Sequence, residues 1–74
     1  MKNIRMKLFY DGNMERGEAT FTTKNLALTY LYGLEYLAEN DGIYIVIDEI
    51  EIDGNLIDID ELAIEDIIYK VKQL

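Results

Sequence analysis

Carboxylates are the most abundant chemically active groups in this chain. Its 74 residues include 15 Asp and Glu against 7 Lys and Arg, a formal net charge of -8. Carboxylates can ligate cations, exchange protons or present negative charge to a basic partner. The sequence contains no His and no Cys, which excludes the commonest general base, thiolate nucleophiles and Cys-ligated metal sites. We therefore expect no enzyme activity, no cofactor and no metal.

Two Asp-x-Asn sequences, beginning at Asp11 and Asp53, raise the question of calcium binding. An EF-hand loop needs Gly at its sixth position and a bidentate Glu at its twelfth. The first sequence has Arg16 and Thr22 at these positions, and the second has Ile64 at its twelfth. Neither sequence predicts an EF-hand site.

The charges are unevenly distributed along the chain. Residues 25–69 contain 12 acids and no base, whereas five bases lie in the first 24 residues and two near residue 74. Most protein surfaces intersperse both signs of charge. We therefore expect a bipolar molecule, with a small basic patch on the first hairpin formed by Lys2, Arg5, Lys7 and Arg16.

Two hairpins and two helices must position these charges. We predict a hairpin over residues 3–22, a helix over 24–40, a second hairpin over 43–59 and a closing helix over 60–73. These elements make one domain of 1–74 with an α+β fold of ββαββα order. The simplest arrangement is a four-stranded, mainly antiparallel sheet with both helices on one face.

The first half of this prediction rests on alternation and capping signals. Apolar residues alternate from Ile4 to Tyr10, as in a half-buried strand, and residues 11–16 form an irregular hairpin tip. Thr22 or Thr23 can cap the first helix, which Asn40-Asp41-Gly42 ends.

The second half begins with an almost entirely β-branched run from Ile43, with a possible bulge at Asp48-Glu49. Asp53-Gly54-Asn55 turns the chain back into a return strand over 56–59. Asp58 or Asp60 then caps the closing helix, where acids gather in the first turns and bases in the last, as the helix dipole favours.

No stretch of the sequence is apolar over a length that could span a bilayer, and the first residues do not have the pattern of a signal peptide. We expect no membrane association and a cytoplasmic location.

The acids can also imitate the phosphates of a nucleic acid. Glu49, Glu51 and Asp53 point to one side of a strand at a spacing of about 6.6 Å. Duplex DNA carries one charge per about 1.7 Å of its axis, so one strand is about fourfold too sparse. Mimicry therefore requires acids from several elements or a homodimer. The candidate partner-binding residues are Asp48, Glu49, Glu51, Asp53, Asp58, Asp60, Glu61, Glu65 and Asp66.

A second candidate surface lies on the first helix. Leu28, Tyr32 and Tyr36 share a face away from the expected core stripe, and tyrosine is favoured at interfaces. We call this set the tyrosine face. It either packs within the domain or forms a dimer or partner surface, where Gly33 would permit close approach.

In size and charge, with its acid-only stretch from Glu35 to Asp66, the chain resembles the small acidic DNA-mimic inhibitors of bacteriophages. This resemblance implies a non-enzymatic inhibitor in a host bacterial cytoplasm. Its partner would be a basic DNA-binding protein, such as an HU-type nucleoid protein, RNA polymerase, a repair enzyme or a nuclease. Direct nucleic-acid binding is opposed by the net charge. The alternative is a small protein–protein interaction module that binds through the tyrosine face.

Overall fold

The computed structural model describes residues 3–10, 16–59 and 62–74. It confirms the predicted α+β fold, with four antiparallel strands in the order β2-β1-β3-β4 and two helices. The elements are β1 (Ile4–Tyr10), β2 (Arg16–Phe21), α1 (Lys24–Tyr36) with a π-helical turn (Leu37–Asp41), β3 (Ile45–Ile52), β4 (Asn55–Ile57) and α2 (Ile64–Lys72).

One apolar core lies between the sheet and the helices. Alternation along β1 buries Ile4 and Met6 completely and directs Arg5 and Lys7 to the opposite face. Both helices contribute to this same core, so they cover one face of the sheet and leave the other to solvent. The buried residues are Ile4, Met6, Ala27, Leu31, Leu34, Ile47, Ile50, Ile52, Ile59, Ile67, Ile68 and Val71.

The first hairpin keeps the predicted strands. Arg16 does not belong to the predicted tip, because it pairs with Phe9 and begins β2. The rest of the predicted tip, residues 11–15, lies outside the described residues, as does Lys2.

The first helix begins as predicted, with the Thr23 hydroxyl accepting the Leu26 N–H at 3.2 Å. Its end differs from a plain α-helix, since its last five residues, Leu37–Asp41, are π-helical. Gly42 closes this turn at φ 66°, a left-handed conformation that glycine adopts without steric cost. The stop predicted at Asn40-Asp41-Gly42 is therefore confirmed.

The second hairpin is shorter than predicted at both ends. Asp53 and Gly54 have φ of 51° and 87°, as a two-residue turn requires, and Asn55, which was predicted to belong to the turn, already pairs with Ile52 as the first residue of β4. However, β3 starts at Ile45, and β4 ends at Ile57 rather than at residue 59. The chain leaves the sheet there because Ile59 is buried in the core.

The predicted bulge in β3 is confirmed. Lys7 is opposite Glu49, but the next residue of β1, Leu8, is opposite Ile47. Asp48 is the extra residue between these pairs.

The closing helix starts four residues later than predicted. It begins at Ile64, after an Ala63 that makes no side-chain capping bond, so capping by Asp58 is wrong. Asp60, the other predicted cap, lies outside the described residues. The burial of Ile59 explains the delay, since the chain must cross from the sheet into the core before the helix starts. Acids in the first turn and bases in the last are confirmed. Neither helix of the described chain has the length and apolar character needed to cross a membrane.

Candidate functional site

The solvent face of the sheet carries charges of both signs. β1 lies between β2 and β3, so its outward side chains, Arg5 and Lys7, lie between the acids of the two neighbouring strands. We call this set the charged ladder; its members are Arg5, Lys7, Glu18, Glu49 and Glu51.

The ladder is held by three ion pairs. The Arg5 guanidinium contacts Glu51 directly across the β1–β3 pair and reaches Glu18 on β2, with Nε 3.3 Å from Oε1. Lys7 Nζ lies 3.4 Å from Glu49 Oε2, again across the β1–β3 pair. Opposite charges on facing strands stabilise a sheet. The prediction of a bipolar molecule is therefore wrong for this face. Arg5 and Lys7, from the basic N-terminal part of the chain, lie beside Glu49 and Glu51 from the acidic stretch.

Asp53 has a structural role in the turn between β3 and β4. Its Oδ1 accepts the Asn3 N–H at 2.9 Å, and its own N–H donates to the Asn3 carbonyl at 2.9 Å. This pair of bonds fixes the hairpin turn to the start of β1. Asp53 thus lies at the turn end of the hairpin, away from the bulge.

A groove opens at the other end of the hairpin, beside the last residues of β4. It has a volume of about 340 Å³. Three carboxylate residues line it together with three apolar residues, and Leu56 among the latter is 65% exposed. We call it the acidic groove; its residues are Asp48, Glu49, Leu56, Ile57, Asp58 and Ile59.

The acidic groove follows from two local features of the second hairpin. β4 pairs with β3 only over Ile50–Ile52, so the chain after Ile57 diverges from β3. The bulge places the extra residue, Asp48, at this divergence. The groove therefore brings together acids separated by ten positions in the sequence.

The predicted acids on α2 lie on two sides of that helix. Lys70 Nζ donates to the Asp58 carbonyl at 2.7 Å, and Asp66 precedes Lys70 by one helical turn, on the same side. Asp66 is exposed, and it is not among the residues that line the groove. Glu65 is exposed on another face of the first turn. The remaining candidates, Asp60 and Glu61, lie outside the described residues.

The tyrosine face divides between core and surface. Leu28 is half-buried and packs against the core, so it does not lie with the tyrosines on the exposed surface. Tyr32 and Tyr36 are 44% and 62% exposed. Lys72 from the end of α2 lies over the Tyr32 ring, 5.4 Å from its centroid.

Two features of these surfaces were missed by sequence reasoning. One is Leu56, which pairs with Glu51 and is therefore on the solvent face beside the acids. The sequence contained a signal for this position, because neighbouring residues of a strand face opposite sides and only one of Leu56 and Ile57 can face the core. The other is Lys24, whose Nζ donates to the carbonyls of Lys72 and Leu74 at 3.3 Å. Nothing in the sequence brings residues 24 and 72 together.

Within residues 3–10, 16–59 and 62–74, no group of three or more acidic side chains is arranged to hold a metal ion. Comparison with protein-family models, curated proteins and solved structures found no match to this chain.

Proposed function

We propose that this protein is a non-enzymatic DNA-mimic inhibitor in a bacterial cytoplasm. It binds the basic nucleic-acid-binding surface of another protein and excludes DNA by competition. The target classes that this chemistry fits are HU-type nucleoid proteins, RNA polymerase, repair enzymes and nucleases, all of which carry such surfaces.

The observation that carries this proposal is the clustering of acids at the acidic groove. Asp48, Glu49 and Asp58 line one groove. These residues come from β3 and from the segment after β4, so the groove combines acids of two segments, as the sparse spacing along one strand requires. Residues 25–74 carry 12 acids and 2 bases, a net charge of -10, so this part of the chain attracts a cationic partner.

The charged ladder supports the proposal less than the groove does, because its acids are partly neutralised by bases of the same chain. Glu49 and Glu51 are paired with Lys7 and Arg5, so they present less net charge than their number suggests. Exposed ion pairs are weak and exchange partners readily, which lets Glu49, whose pair with Lys7 is the more exposed one, contribute once a more cationic surface approaches. A second copy, giving -16 from two chains of -8 each, would supply further charge density.

The second candidate function is an interaction module that binds through the tyrosine face. The exposure of Tyr32 and Tyr36 favours it, because aromatic side chains at surfaces mark protein interfaces. In this case the acids serve solubility only.

Capture from a bacterial lysate followed by a DNA-competition assay tests the proposal. The immobilised protein should retain DNA-binding proteins at about 0.05 M salt and release most of them by about 0.5 M, since their cationic surfaces are screened. In a gel-shift assay, the protein should then displace duplex DNA from each captured partner. Retention that is independent of salt, or a captured partner that still binds DNA, would contradict the proposal.

The variant Tyr32→Ser/Tyr36→Ser separates the two functions. DNA displacement should be unchanged for a charge-driven inhibitor and lost for a module that binds through the tyrosine face. Light scattering on the wild type and the variant reports whether a dimer forms through this surface.

A further inference from the structure

The outer edge of β2 lies at one side of the sheet. β2 is six residues long and pairs with β1 through its inner edge. Within residues 3–10, 16–59 and 62–74, no strand pairs with its outer edge. The backbone N–H and C=O groups of alternate residues point outward there, and such a row is a template for a further strand.

β2 lacks the features with which most proteins block an exposed strand edge. Those features are proline, lysine, a bulge, or a charged side chain on the inner face of the sheet. The strand reads Arg-Gly-Glu-Ala-Thr-Phe, and its register with β1 is regular throughout. Glu18 is on the solvent face, where it pairs with Arg5 at 3.3 Å. The outer edge of β2 is therefore regular and open to pairing.

The opposite side of the sheet is blocked by such features. β4 has three residues and covers β3 over Ile50–Ile52. The next part of β3 contains the bulge at Asp48, and the acidic groove lies beside it. We therefore expect strand addition at β2 and not at the β3–β4 side.

The distribution of charge favours a second copy of the chain at this edge. The net charge of -8 opposes self-association at most surfaces. Residues 1–24, which include β1 and β2, carry five bases and three acids, a net charge of +2, whereas residues 25–74 carry -10. Two copies that meet at β2 keep their acidic parts far apart, since the two β4 strands are then seven strand spacings, or about 34 Å, from each other.

β2 is also compatible with pairing to itself. In a two-fold antiparallel pair with both cores on the same side of the sheet, Glu18, Ala19 or Thr20 lies opposite its own copy. Glu18 opposite Glu18 is repulsive. Thr20 opposite Thr20 pairs only residues 19–21 of the strand, whereas Ala19 opposite Ala19 pairs residues 17–21. The Ala19 register is therefore the favoured one.

The same register places a large side chain opposite a small residue at both ends of the pair. Phe21 is on the core side, because it pairs with the buried Ile4, yet it is only half-buried. Gly17 of the second copy lies opposite Phe21 and has no side chain. The Phe21 ring can therefore cover the exposed glycine, which is a favourable arrangement across strands.

We propose that β2 pairs antiparallel with β2 of a second copy, which makes one continuous eight-stranded sheet with Ala19 next to the two-fold axis. This pairing does not depend on the proposed function. It supplies the doubled charge that DNA mimicry favours, because the acidic grooves lie at the two far sides of one sheet.

Cross-linking of single-cysteine variants tests the position of the interface. The chain contains no cysteine, so Thr20→Cys, Tyr36→Cys and Leu56→Cys each introduce one thiol, on β2, the tyrosine face and β4. In the proposed register the two copies of residue 20 are about 8 Å apart, one strand spacing across and two residues along. A bis-maleimide of about that span should join Thr20→Cys into a covalent dimer and give little product with the others. Equal products from all three, or more from Tyr36→Cys or Leu56→Cys, would overturn the inference.

A matched pair of charge variants measures the strength of the association. Thr20→Glu and Thr29→Glu make the same change at exposed positions on β2 and α1. Thr20 faces Arg5 within the chain, so the fold should accept the new carboxylate, whereas in the dimer it faces Glu18 of the second copy. In sedimentation equilibrium, Thr20→Glu should weaken dimerisation at least about tenfold and Thr29→Glu less than about threefold. A wild type that is monomeric at about 1 mM, or equal effects of the two variants, would contradict the pairing.

Salt separates this inference from the proposed function. Salt screens the repulsion between two chains of -8 each, so it should strengthen the dimer while it weakens binding to a basic partner. A dimer that dissociates as salt rises would contradict pairing at β2. If a monomeric protein displaces DNA, only the dimer is wrong; if the dimer forms through β2 but displaces no DNA, only the inhibitor function is wrong.

Discussion

The charged ladder and the acidic groove use the same kind of side chain in different ways. In the ladder, Glu49 and Glu51 face bases directly across a strand pair, so their charge is balanced within the fold. In the groove, Asp48 and Asp58 flank apolar surface at the point where β4 ends. Acids in the middle of the sheet thus pair with bases on the neighbouring strand, whereas the proposed function assigns partner binding to the acids beside the end of β4. Glu49 belongs to both sets and links them.

Charge reversal should separate these two roles most strongly. Glu49→Lys/Glu51→Lys places lysines opposite Lys7 and Arg5 and removes two cross-strand ion pairs. We expect it to lower the free energy of unfolding by about 1–3 kcal/mol, because like charges on facing strands repel. Urea denaturation monitored by circular dichroism measures this change.

The matched reversal in the groove is Asp48→Lys/Asp58→Lys, which alters the net charge by the same amount. It leaves the cross-strand ion pairs of the ladder in place, so we expect a smaller loss of stability than in the ladder variant, together with loss of DNA displacement from captured partners. If both variants lose equal stability, the ladder has no special role in joining the strands.

The mixture of charges on the solvent face could not be predicted from the order of charges in the sequence. The alternation that directs Arg5 and Lys7 outward was visible, and so was the outward placement of Glu49 and Glu51. What was missing was the strand order, because pairing between β1 and β3 joins residues 35 to 48 positions apart. Once β1 is known to be central, the ladder follows from alternation alone.

The groove was harder to predict, although each of its acids was a candidate. Its existence depends on where β4 ends, which is decided by the burial of Ile59 rather than by any turn residue. The pattern Leu56–Ile59 allows a longer strand and a cap at Asp58, and only tertiary packing excludes them. Leu28 differed from expectation for a similar reason, since it lies beside the buried Leu31 on α1 and packs against the core.

Gly33 provides a test of whether the tyrosine face competes with the groove as a binding surface. A Cβ at this position meets nothing within 4 Å, and glycine within a helix is unfavourable relative to alanine. Gly33→Ala should therefore raise the free energy of unfolding by about 0.5–1 kcal/mol, measured by urea denaturation. DNA displacement should be unchanged if binding occurs at the groove. A more stable variant that no longer displaces DNA would instead show that a partner approaches closely at Gly33.

The smallest expected effect concerns the residue that the two regions share. A double-mutant cycle on Lys7→Ala and Glu49→Ala should give a coupling energy of about 0.3 kcal/mol at low salt, because both side chains are more than 40% exposed and their 3.4 Å contact is screened. The same cycle on Arg5 and Glu51 should give a larger value, since the Glu51 side chain is only 25% exposed and Arg5 also holds Glu18. With this ordering, the Lys7–Glu49 ion pair is the weaker of the two. Glu49 is then the ladder acid that a basic partner can bind with the smaller loss of stability. A coupling energy for Lys7 and Glu49 that exceeds the value for Arg5 and Glu51 would reverse that assignment. The main role of Glu49 would then be to stabilise the sheet and not to bind a partner.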